Sequence, residues 1–163
     1  MTQRATFAAG CFWGVESEFR RILGVTATRV GYTGGRTDDP SYYDVCSDTT
    51  GHAEAVEVEF DPEQISYEQL LGAFWNKHNP THRNRQGWDF GDQYRSVIFV
   101  HDEEQREAAE RSKAELEVSK RYRRQIATVI EPTQTFHVAE DYHQQYLEKQ
   151  GRASCTAALA AAV

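Results

Sequence analysis

Ala53-Glu54-Ala55-Val56-Glu57-Val58-Glu59-Phe60 repeats with a period of two, placing Val56, Val58 and Phe60 on one side and Glu57 and Glu59 on the other. That period marks a β-strand with one face in a core, because successive side chains leave an extended backbone in opposite directions. Glu54 falls on the apolar side. A carboxyl group there loses water, which raises its pKa and keeps it protonated near neutrality, unless the strand end stays wet enough for ordinary ionisation.

Upstream, Arg4 to Ala9 is an apolar run that stops at Gly10, and Phe12, Val15, Phe19, Ile22 and Leu23 then recur at helical spacing, interrupted by Glu16. Gly24 suits the helix end, and Val25 to Tyr32 is rich in Val and Thr, predicting a second strand. Thr33 to His52 has no period; a loop of that length inside a domain is read here as functional. Downstream, Ser66 and Gln69 have capping-box spacing before the stripe Leu70, Leu71, Phe74, Trp75, His78, which Asn79-Pro80 ends. A second long loop covers Asn79 to Gln93, and Tyr94 to Val100 predicts a strand. Asp102 with Gln105 starts a polar helix reaching about Arg124, Ile126 to Ile130 predicts a strand, and a short helix spans Asp141 to Lys149.

The order strand, helix, strand, strand, helix, strand predicts an α+β fold: a ferredoxin-like split βαβ two-layer core with a mainly antiparallel sheet. A C-terminal helix, strand, helix and tail are added to it. The third strand lies between the first two, antiparallel to both, and the fourth flanks the first. Gly10 and Cys11, Glu54 and Tyr94 therefore converge at one sheet end beside both long loops.

At 163 residues the chain is one domain, 1–163, with about 151–163 as a flexible tail. Apolar residues at 39% and charged residues at 26% exclude disordered and low-complexity classes. The longest apolar run, Thr156 to Val163, is far short of the roughly 20 residues of a membrane span, and no export signal precedes the first strand. A formal charge of −7 argues against nucleic-acid binding. Three widely spaced cysteines, Cys11, Cys46 and Cys155, fit a reducing, cytoplasmic compartment. A monomer is expected.

Cys11 opens a helix, where unpaired N–H groups and the helix dipole favour a thiolate; it is either a nucleophile or a small buried hydrophobe. Trp13 lies off the apolar stripe and is either a wall beside that thiol or packed under a loop. Tyr42, Tyr43 and Tyr94 are hydroxyl donors or packing residues. No metal site is expected, because Pro80 breaks the helix that would align His78 and His82 and no Cys-x-x-Cys occurs. Gly31-Tyr32-Thr33-Gly34-Gly35 ends in a loop rather than a helix, which argues against nucleotide binding.

Gly10-Cys11-Phe12-Trp13-Gly14 resembles the signature of the A-type peptide methionine sulfoxide reductases. Four further segments resemble that family's blocks in the same order: Gly31 to Gly35, Gly51 to Val56, Gln93 to Ser96 and Ala139 to Leu147. The resemblance covers nearly the whole chain and implies reduction of the S epimer of free or protein-bound methionine sulfoxide. It implies Cys11 as nucleophile, Glu54 as proton donor, Tyr42 and Tyr94 as ligands of the sulfoxide oxygen, and Phe12 and Trp13 as walls around the methyl group. It also implies Asp89 at the site, Cys155 as the cysteine that forms a disulfide with Cys11, thioredoxin or another dithiol as reductant, and no cofactor. Cys46 sits where some members have a cysteine, with no catalytic role implied. Cys155 lies in Ala153-Ser154-Cys155-Thr156-Ala157-Ala158, where the family usually has glycines around that cysteine. The alternative within thiol chemistry is a thiol peroxidase or redox sensor, which needs neither the aromatic wall nor a neutral Glu54; a metal- or peptide-binding module is a further one.

Overall fold

The strand β3, Ala53–Phe60, lies inside a six-stranded sheet with a partner strand on each side. In this computed structural model, which describes residues 1–151, Val56 pairs with Phe7 of β1 (Gln3–Ala9) and Val30 of β2 (Val25–Thr33). Both pairings are antiparallel and put apolar side chains opposite one another on one face. The helices α1 (Phe12–Arg20), α3 (Tyr67–Lys77) and α4 (Glu103–Val118) cover that face. Phe7 stacks between Phe19 and Phe74, with ring centroids 5.0 and 5.3 Å away, and ties α1 and α3 to the sheet.

The remaining elements are α2 (Tyr42–Cys46), the hairpin β4 (Arg85–Gln86) and β5 (Asp89–Phe90), β6 (Ser96–Val100), β7 (Val129–Pro132), β8 (His137–Val138) and α5 (Tyr146–Lys149). Across the sheet the order is β7-β6-β1-β3-β2-β8. Its central four strands have the expected ferredoxin-like arrangement, and among the described strands the one parallel neighbouring pair is β6 and β7.

Several local expectations need correction. The long polar helix ends at Val118, because Lys120 takes a left-handed φ of 57° and the Ser119 hydroxyl bonds back to the Leu116 carbonyl. The strand expected at Ile126 begins at Val129, where pairing with Val97 of β6 starts. Tyr94 precedes its strand, in a single 3₁₀ turn at Asp92–Tyr94. The helix expected over Asp141 to Lys149 is a 3₁₀ turn and a short helix, separated by Gln145 at φ 49°. The loop Thr33 to His52 contains α2, started by a capping box between Ser41 and Asp44, and Asn79 to Gln93 contains the β4–β5 hairpin.

Glu57 was expected on a solvent face, yet it is 6% exposed. The chain between β7 and β8 crosses that face, placing Phe136 against Ala8, Ala53, Ala55, Val97 and Phe99. Arg29 donates to Glu57 at 2.8 Å, supplying the partner that a buried carboxylate requires. The crossing depends on Gly31, because a Cβ there would strike the His137 carbonyl and the Phe136 ring.

His78, just past α3, joins three elements at the sheet end that carries Cys11. Its Nδ1 meets the Phe74 carbonyl at 2.8 Å and its Nε2 meets the Ser96 hydroxyl at 2.7 Å, and Ser96 contacts Thr128 at 2.7 Å. Burial pushes its pKa down to about 4, helped by Lys77 and His82 and opposed by the Phe74 carbonyl. The unfolded chain takes up this proton near pH 6.5, so between pH 6.5 and 4 only the unfolded state gains it and stability falls with falling pH. The share expected from His78 is on the order of 3 kcal/mol. Denaturant unfolding across this range should show a shallower acid slope for His78→Gln; an unchanged slope would place the sensitivity elsewhere.

Candidate active site

Gly10 ends β1 with φ 96°, a left-handed conformation that glycine adopts without strain. A Cβ at this position would lie 2.9 Å from the Gln86 side chain, so Gly10 lets the β4–β5 hairpin close against the strand end. Cys11 follows, half-buried, as the N-cap residue of α1, but its side chain makes no capping bond. The Phe12 N–H, in the first turn of α1, donates to Glu54 Oε1 at 3.1 Å instead. Glu54 is 2% exposed. The expected meeting of the end of β1 with the start of β3 is thus a direct hydrogen bond.

Tyrosines surround this carboxyl. Burial raises the Tyr94 hydroxyl far above its usual range, with the Glu54 and Asp89 charges adding to the effect and Cys46 and Cys11 contributing less. Tyr42 is raised likewise, first by burial, then by its hydrogen bond to Cys46, with Glu54 and Tyr94 contributing less. Both remain O–H donors at any working pH. Cys46, expected to lack a role, stands at the rim of the same cluster. Burial raises its thiol, the Tyr42 bond opposes that, and Glu54 and Glu140 reinforce it, so it is held as a thiol rather than a thiolate.

Phe12 is buried, with its ring 5.7 Å from Tyr32 and 5.1 Å from His143. Trp13 is half-buried and stacks on Tyr146 at 3.9 Å, and its indole N–H donates to His143 Nδ1 at 2.9 Å. Asp89, on β5, is largely exposed, and the nearby protein still strips enough water to raise its carboxyl. Cys11, Phe12, Tyr42, Glu54 and Tyr94 are brought together, Trp13 borders them, and Asp89 reaches them through Tyr94. Cys155 lies outside the described residues.

Two residues that the sequence reading left without a role hold this cluster. Glu140 accepts from the Tyr32 hydroxyl at 3.0 Å and from the Tyr42 N–H at 2.9 Å. Burial alone would raise its pKa, but these bonds outweigh it and the carboxyl is lowered, so it serves as a charged acceptor. His143 is fully buried and its pKa is lowered by burial, which keeps it neutral and able to accept from Trp13. The segment that carries both is fixed by Glu16, which accepts from the Gln145 backbone and side chain at 2.7 and 3.0 Å. Gln144 completes the hold by bonding both backbone groups of Val30 at 2.9 Å. The signal for Glu140 and His143 was their place in the string Ala139 to Leu147, but no local pattern shows what they face.

Comparison with known proteins points one way. Residues 3–163 match the family described as peptide methionine sulfoxide reductase. A protein of that name, MsrA of Methanothermobacter thermautotrophicus, is 59% identical over 153 residues, which span 94% of this chain and 90% of the relative. Among solved structures, reduced Mxr1 of Saccharomyces cerevisiae superposes with a TM-score of 0.86 at 38% identity, covering 92% of this chain and 86% of Mxr1. Mxr1 in complex with Trx2 superposes with a TM-score of 0.63 at 26% identity, covering 89% and 84%.

The role of Glu140 can be read directly. Glu140→Gln replaces an acceptor of two bonds by an amide whose NH₂ faces a donor, leaving one partner unsatisfied at a cost of about 1–3 kcal/mol. Hydrogen exchange at the Tyr42 amide should accelerate by roughly ten- to a hundredfold, while amides in β3 keep their protection. An unchanged Tyr42 amide would show that α2 is held by other contacts.

Proposed function

The chain belongs to the peptide methionine sulfoxide reductase family, and from that premise we propose that Cys11 attacks the sulfoxide while Glu54 protonates its oxygen. The enzyme is an oxidoreductase that returns methionine sulfoxide to methionine, with thioredoxin as its dithiol partner. The observation that carries the assignment of residues is the buried Glu54 carboxyl bonded to the first turn of the helix that Cys11 opens, with the Tyr42 and Tyr94 hydroxyls around it.

A sulfoxide oxygen leaves poorly until it is protonated, and a buried carboxylic acid is a stronger proton donor than water. Tyr42 and Tyr94 donate to the same oxygen and stabilise charge on it, while Phe12 and Trp13 receive the methyl group. The Cys11 thiolate, favoured by the positive end of α1, adds to sulfur as Glu54 delivers its proton. The sulfur–oxygen bond to methionine is then lost, methionine leaves, and Cys11 retains the oxygen as a sulfenic acid. Cys155 attacks that sulfenic acid, water departs, and a Cys11–Cys155 disulfide forms. Thioredoxin reduces the disulfide by thiol exchange. Both electrons come from thiols, and the scheme calls on no cofactor. A cytoplasmic location follows from that dependence on reduced thiols. Among the described residues no helix is long and apolar enough to cross a membrane.

Turnover of the two separated epimers of methionine sulfoxide with dithiothreitol tests the reading. Activity on the S epimer alone is expected; equal turnover of both epimers, or turnover of peroxide alone, would overturn it. Glu54→Gln can still donate a hydrogen bond but cannot transfer a proton, so its rate should drop by about 10² or more. A variant as fast as the parent would remove Glu54 from the role of acid.

The cysteines separate by stoichiometry. Cys155→Ser should release one methionine per enzyme and stop with Cys11 oxidised, recycling poorly with thioredoxin. Cys46→Ser keeps an acceptor for Tyr42 and should behave like the parent. Mass spectrometry after one equivalent of substrate should find a Cys11–Cys155 disulfide; a Cys11–Cys46 disulfide would move the resolving role to Cys46.

A further inference from the structure

The β4–β5 hairpin separates the catalytic cluster from a groove of about 870 Å³ bounded by Thr81 to Arg85, the C-terminal half of α4 and the start of β7. Both lie at the same end of the sheet, because β7 runs parallel to β6, and β6 antiparallel to β1, whose end carries Cys11. In the hairpin, Gln86 pairs with Asp89 and Arg85 with Phe90. Paired residues share a face and adjacent ones alternate. Gln86 packs on Gly10 beside Cys11, so Arg85 and Phe90 face the other way, and Arg85 lines the groove.

Charge and exposure distinguish this surface. The chain carries a formal charge of −7, yet Arg83, Arg85, Lys113 and Arg124 line the groove against two carboxylates, Glu110 and Glu117. Arg83, Lys113 and Arg124 make no ion pair among the described residues. Trp88 at the hairpin tip is 91% exposed, and Phe90 is also exposed, with the Arg85 guanidinium 5.5 Å from its ring. Large aromatic side chains left in water beside a site and next to unpaired cations mark an interaction surface.

We propose that the aromatic hairpin and the cationic groove together dock the polypeptide that carries the oxidised methionine, favouring acidic side chains three to five residues from it. The proposal rests on the reductase reading and names the substrate class of that site. Strand spacing sets the distance. From β1 to β7 is two steps of about 4.8 Å, and an extended peptide advances about 3.3 Å per residue. A substrate whose sulfoxide sits at Cys11 thus crosses the hairpin within about three residues and lies in the groove for the next few. A free amino acid sulfoxide is too short to touch either.

The test uses the enzyme with dithiothreitol, so that no protein reductant can occupy the surface, and compares peptides with a central S-sulfoxide. One set carries two Glu residues, and the other two Lys residues, three to five positions away on either side; N-acetylmethionine sulfoxide is the short control. The Glu peptides should have about fivefold higher kcat/KM than the Lys peptides at low salt, through KM, and the preference should fade near 0.5 M salt. The triple variant Arg83→Gln, Lys113→Gln, Arg124→Gln should erase the preference without changing turnover of the short control. Trp88→Ser should lower kcat/KM for all peptides and spare the control. Equal kcat/KM for Glu and Lys peptides, or a preference that survives in the triple variant, overturns the proposal. Failure of the short control in the parent enzyme would instead overturn the reductase reading.

Discussion

The hydrogen bond from the Phe12 N–H to Glu54 is the contact on which the site depends. A carboxyl with 2% exposure is costly unless its oxygens find donors, and a helix start leaves backbone N–H groups that need acceptors. Each deficit meets the other. Cys11 occupies the N-cap position, where a Ser or Asp side chain would normally fold back on the helix. Because Glu54 fills that need from β3, the thiol side chain is not engaged in capping.

The core was readable in the sequence wherever the signal was local. Period two in Ala53 to Phe60 and the Ser66–Gln69 box identify elements whose stability rests on their own side chains. The ferredoxin-like order of the central strands followed from connection rules, and it brought Cys11 to Glu54 without knowledge of any side-chain contact. β8 has two residues, and the hairpin strands two each; such pairings exist because the rest of the fold presents a partner, and no window of sequence that short shows a period. α2 is a different kind of omission, since Ser41 and Asp44 carry a legible capping box inside a stretch read as loop.

Glu16 shows the limit most clearly. In the helical stripe of α1 it looked like an interruption, a charge on a face that should be apolar. The structure buries it at 1% exposure and surrounds it with donors, the Thr28 hydroxyl and both groups of Gln145. Through Gln145 it fixes the segment bearing Glu140 and His143, which hold Tyr42 and Trp13 in turn. The indole of α1 and the phenol of α2 beside Glu54 are therefore set by a carboxylate of α1 acting through Gln145, 129 residues away in sequence, a link that only the folded chain reveals.

The passage of the chain from β7 across the sheet to β8 also decides how the molecule behaves among damaged neighbours. An open sheet offers an unpaired edge on each side, and an edge strand with free N–H and C=O groups is a template for another chain. Here one edge is a four-residue strand ending in Pro132, which has no N–H to donate, and the other is two residues long. Gln144 additionally occupies the backbone groups of Val30 beside that short edge. A repair enzyme works where other proteins are partly unfolded and rich in exposed strands. Blunted on both sides, its sheet gives those strands little to join, so it can meet oxidised chains through its catalytic end without being drawn into their aggregates.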